Sequence, residues 1–141
     1  MERRDYLLRE IEKIGLLMRA ILNHLMNKEE NFALKINKKF DETTEQLLFD
    51  TGFDLKKSIS MNQESFIQYI SSFKGMNTGN LELLADIMFQ YGTNESSYKR
   101  DNCMRKALQL YEFCNNLDKT YSFARENKVE KVLNELNDIR P

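Results

Sequence analysis

Proline is all but missing from this chain: its one copy is the last residue, Pro141, and only five glycines interrupt what comes before. Proline removes a backbone donor and clashes with the preceding turn, so its absence leaves long helices unopposed. The glycines, Gly15, Gly52, Gly75, Gly79 and Gly92, mostly fall where apolar periodicity breaks, which marks helix stops rather than strand turns. Valine is confined to Val129 and Val132, and no alternating run rich in Val, Ile and Thr occurs, so strands are not expected.

Other shortages exclude chemistry. His24 is the only histidine, which rules out multi-histidine zinc sites and the helical HExxH arrangement, because both need a second imidazole. A carboxylate-bridged di-metal bundle wants inward Glu-x-x-His pairs, and none is present. EF-hand spacing is absent too. The stretch GMNTGN offers two glycines before a helix but no following Lys-Ser/Thr, so it lacks the makings of a phosphate cradle. No cofactor and no metal are therefore expected.

Net charge is also lacking. Lysine and arginine number 21 against 22 acidic residues, and neither sign accumulates in any third of the chain, so no field draws it to nucleic acid or to a membrane surface. Charges at helical spacing break every apolar run, and neither a secretory core nor an 18-residue membrane span is expected. Cys103 and Cys114 share one predicted helix, where eleven residues separate them by about 16 Å along the axis. That is too far for a disulfide. They read as buried small hydrophobes in a reducing compartment, and the expected location is the cytoplasm. The Asn94-Glu95-Ser96 sequon carries no weight without a secretion signal.

What is present is helical periodicity from end to end. Hydrophobic residues make up 41% of the 141 and charged residues 30%, a balance that supports one folded core. Six helices are expected, over about 3–27, 29–50, 60–73, 81–91, 97–116 and 120–139. The first has a wide stripe through Ile14, Met18 and Ile21; the second buries Phe32, Ile36, Phe40, Leu47 and Leu48. Ser60 and Gln63 have capping-box spacing at the start of the third. Segments 51–60 and 74–80 read as connectors, and Gly92 as the residue that ends the fourth helix.

The candidate surfaces are few. On the first helix Leu16, Leu17 and Ala20 lie outside the main stripe and form a second apolar strip beside His24. They are expected either to meet helices of the same chain or to make a symmetric dimer seam. Tyr111, Tyr121 and Phe123 gather near the turn between the last two helices, as core with hydroxyls at the rim or as a peptide groove. Lys28, Lys35, Lys38 and Lys39, and again Lys99, Arg100, Arg105 and Lys106, have acidic neighbours and read as solvated faces. Asp41, Glu42 and Glu45 read the same way.

RKALQLYEFCNN, residues 105–116, resembles the second helix of a tetratricopeptide hairpin, with Ala107, Tyr111 and Cys114 in the matching slots. Leu84, Ala85 and Gly92 are similar to the first-helix pattern. The spacing from Gly92 to Ala107 is about ten residues too long, the terminal proline is missing, and no second copy aligns near 34 residues. More broadly, DYLLREIEKIG, LELLADIMFQYG and LYEF…TYSFARENKVEKV together resemble an uncharacterised family of small all-helical bacterial proteins. That resemblance implies an all-helical fold and supplies no catalytic residues.

The sequence thus predicts an all-α, single-domain bundle of about six helices over residues 1–141, with a long N-terminal pair in 1–50 and tetratricopeptide-like hairpins in 60–141. The expected role is a protein-interaction or scaffold module without catalytic activity, its partner another protein or its own copy. The alternative is a small-ligand sensor or enzyme whose site assembles from distant residues.

Overall fold

A computed structural model describes residues 2–27, 33–119 and 122–139, with side chains described for 3–27, 38–119 and 122–137. Seven helices and no strand occur among the described residues: α1 (Glu2–Met26), α2 (Ala33–Thr51), α3 (Leu55–Ser60), α4 (Gln63–Ser71), α5 (Thr78–Thr93), α6 (Ser97–Asp118) and α7 (Phe123–Ile139). The protein is an all-α bundle.

The seventh helix lies inside the expected connector 51–60. There Asp54 caps α3, its carboxylate accepting from the Lys57 backbone N–H at 3.0 Å. Local capping chemistry outweighs the weak apolar pattern of the segment. Ser60 then belongs to α3, donating to the Lys57 carbonyl, and Asn62 replaces it as the cap of α4, accepting from Ser65 N–H at 2.8 Å. Asn77 likewise caps α5, so that Thr78, Gly79 and Asn80 are helical rather than loop. Gly52, at φ +80°, ends α2 as expected, in a conformation that favours glycine.

One hydrophobic cluster runs from Ile14 on α1 to Leu136 on α7. The α1 stripe is its base: Ile14, Met18 and Ile21 have no exposed surface. On α2, Phe40 and Leu47 are buried as expected, but Leu48 is 43% exposed, a correction that follows from the 100° between consecutive helical residues. Phe32 and Ile36 lie outside the described side chains.

Spatial neighbours run α2, α1, α5, α6, α7, with α3 against α2 and α4 against α6. The most extensive pairing is the α5–α6 hairpin. Gly92 does not end α5, which continues to an Asn94 cap. It lies buried in the last turn, where a Cβ would meet the Cys103 Cβ at 2.9 Å, so glycine permits the two helices to approach. At the α1–α5 crossing Asn80, itself buried, donates its side-chain amide to the carbonyls of Ile11 (3.0 Å) and Gly75 (2.8 Å). Gly15 faces that amide, and a Cβ there would lie 2.9 Å from Asn80 Oδ1.

Candidate functional site

Glu82 and Asp86 lie one turn apart on α5, and Arg125 and Lys128 three residues apart on α7, so each pair occupies one helix face. The faces meet. Arg125 Nε donates to Glu82 Oε1 at 2.9 Å, Nη1 to Asn115 Oδ1 at 3.0 Å and Nη2 to Asp118 Oδ2 at 2.9 Å. Lys128 Nζ reaches Glu82 Oε2 at 2.7 Å and Asp86 Oδ2 at 3.2 Å. The Tyr111 hydroxyl donates to Asp86 Oδ1 at 2.5 Å.

Burial alone would raise the Glu82 carboxyl, but hydrogen bonds from Lys128 and Arg125 outweigh it and hold it below its ordinary value. Lys128 is raised despite its burial by the same carboxylates, and the Asp118 hydrogen bond raises Arg125. Tyr111 is driven upward by burial and then by Asp86, so its proton stays in place. Each carboxylate is met by a cation, and the network fastens α7 to the α5–α6 hairpin.

Lys106 on α6 has no exposed surface. Its ammonium donates to the carbonyls of Ser58 (2.9 Å) and Ile59 (2.6 Å), and lies 5.2 Å from the Phe66 ring centroid. It thereby satisfies carbonyls that the end of α3 leaves without helical partners. Burial pushes its pKa down to about 8. The expectation of a solvated face is corrected at this position, where the basic run straddles the helix and one member turns inward.

An apolar groove of about 260 Å³ opens between α4, the start of α5 and the end of α6. Ile67 and Ile70 form one wall, Phe113 and Leu117 the other, and Met76 and Leu81 lie between. Phe113 is 39% and Leu117 57% exposed, so one wall stands open to solvent.

The predicted surface residues are dispersed. Leu17 packs against the core, Ala20 and His24 are half-buried, and Leu16 alone is well exposed, at 67%. Tyr111 is buried, Phe123 is exposed, and Tyr121 lies outside the described residues. Neither the groove nor a smaller cleft that Tyr111 borders, between α1, α5, α6 and α7, includes Phe123. Cys103 and Cys114 are buried free thiols, each pushed up to about 11 by burial. Among the described residues no group of three or more His, Cys, Asp or Glu could hold a metal ion, and no helix is long and apolar enough to cross a membrane.

The inward turn of Lys106 and the ion network of Arg125 leave no mark in the sequence. The groove had a signal, since Phe113 and Leu117 lie one turn apart outside the Ala107–Tyr111–Cys114 face. Comparison with models of protein families, with curated proteins and with solved structures finds no match.

Proposed function

We propose that the protein is a binding module that seats the apolar edge of an amphipathic helix from another polypeptide in the groove between α4, α5 and α6. The observation that carries this reading is the open apolar wall of Phe113 and Leu117. Their spacing of four matches the ridge of a helix, and the trough between two helices is the shape into which a third helix's ridge fits. The volume of about 260 Å³ exceeds the ~150 Å³ that admits a benzene ring, leaving room for more than one apolar side chain. Tetratricopeptide-like packing of the α5–α6 hairpin is part of the proposal, supported by the burial of Ala85, Gly92, Ala107, Tyr111 and Cys114.

A non-catalytic role is supported by the pairing of Glu82, Asp86 and Asp118 with cations. The buried free thiols suit a reducing, cytoplasmic setting. Self-association through α1 is a second reading, favoured by the exposure of Leu16.

Selection from a displayed library of amphipathic helices tests the groove. The expected result is enrichment of sequences with apolar residues at i, i+3 or i+4, whose affinity falls at least tenfold against a folded Leu117→Glu variant. No enrichment, or enrichment indifferent to L117E, overturns the proposal.

A further inference from the structure

A second cleft, of about 170 Å³ and lined in part by the ion network, is bounded by α1, α5, α6 and α7. Its apolar lining comes from Leu22, Met26 and Phe89, and its polar lining from Asp86, Gln90, Tyr111, Lys128 and Lys131. We propose that this cleft is a binding site for a small monoanionic molecule with an apolar body, a single ring or a short alkyl chain, whose anionic group meets Lys131 and Lys128.

The size follows from the volume, which is close to the ~150 Å³ of a cavity that holds benzene. The charge follows from the ionic groups of the lining and how they are engaged. Asp86 has one oxygen occupied by the Tyr111 hydroxyl and the other by Lys128. Tyr111 has spent its only proton there. Lys128 has three protons and places them toward two acceptors, Glu82 Oε2 and Asp86 Oδ2, leaving one donor unassigned. Lys131 is exposed and makes no ion pair among the described residues. Asp86 and the Gln90 amide keep lone pairs to spare, so charge decides: the lining holds two ammonium groups, Lys128 and Lys131, against one carboxylate, Asp86. A bound carboxylate balances the excess positive charge, whereas an amine faces two ammonium groups across from a carboxylate already engaged. The apolar body covers Phe89 and Met26, the latter 53% exposed.

The test is a titration followed by amide NMR, with benzoate and hexanoate as probes and benzyl alcohol and benzylamine as neutral and cationic counterparts. Saturable shifts are expected for benzoate or hexanoate at amides of α5 and α7 around Phe89 and Lys131. Lys131→Glu should weaken that binding at least tenfold, and Met26→Trp, which places a ring in the cleft from a half-exposed position, should abolish it. Spectra away from the cleft verify that both variants fold. The proposal is overturned by an absence of saturable shifts at millimolar anion, by K131E binding the anions as the parent does, or by benzylamine binding as tightly as benzoate. L117E, which alters the groove and changes no residue lining this cleft, should leave the titration unchanged, so this site and the helix groove stand or fall separately.

Discussion

At the scale of single residues, two buried cations carry the clearest consequences. Lys106 has a lower pKa in the folded state, about 8, than the ordinary 10.5, so between those values the unfolded chain binds more protons. Stability from this group therefore rises as pH increases from 8 to 10.5. Chemical denaturation of the parent and Lys106→Met should show the parent gaining relative to the variant across that window. At pH 7 the variant should be destabilised by about 1–3 kcal/mol, since Ser58 and Ile59 lose a donor. Arg125 is the converse case. Its removal in Arg125→Met takes the guanidinium from Asp118 and leaves Glu82 with Lys128, at a cost of about 2–4 kcal/mol, below a fully buried pair because both carboxylates retain some exposure and Glu82 keeps a cation. Glu82, lowered in the folded state from 4.5, contributes stability above pH 4.5 that is lost as pH falls through its folded value. Urea midpoints from pH 6 to 3 should fall less steeply in R125M than in the parent. Neither cation was legible from sequence, because a single lysine in a basic run, or an arginine in FARENK, carries no sign of whether its neighbours in space are carbonyls or carboxylates.

At the scale of helices, periodicity made the long elements readable: Ile14, Met18 and Ile21, or Val132 and Leu136, repeat every three to four residues and are buried. It failed where one polar side chain decides the matter. Asp54, Asn62 and Asn77 each start a helix by accepting from a backbone N–H three residues on, and no apolar stripe announces a six-residue helix such as α3. The same scale separates two glycines that look alike in sequence. Gly92→Ala would push a methyl against Cys103 Cβ and the Met104 Cε, and thermal unfolding should show a loss of about 1–3 kcal/mol. Gly79→Ala, also helical, has only the Asn77 side chain at 3.7 Å, and should stabilise by about 0.4–1 kcal/mol. If G92A is neutral, the close approach of α5 and α6 does not depend on that position.

At the scale of the whole molecule, the all-α class was accessible from composition because almost nothing in the chain favours strands or interrupts helices. The anion cleft was not, and the groove was so only through the one-turn spacing of Phe113 and Leu117, since each is assembled from three or four helices whose order in space departs from their order in sequence. Thiol accessibility gives a measure of global integrity. Cys103 and Cys114 are both buried with raised pKa values, so a disulfide reagent at pH 8 should label neither rapidly in the native protein and both after denaturation. Rapid native labelling of Cys114 alone would mean that α6 opens locally near its C-terminal end.

The seat of α1 between α2 and α5 has an outcome during biosynthesis. Asn80 reaches back 69 residues to Ile11, so the flank of α1 that α5 covers has no cover until the later helix has left the ribosome. Until then Ile14, Met18 and Ile21 are only half sheltered, by α2. Nascent chains arrested before Asn80 emerges should be cut readily within α1 by a protease specific for apolar sites, and chains arrested beyond Asp118 should resist.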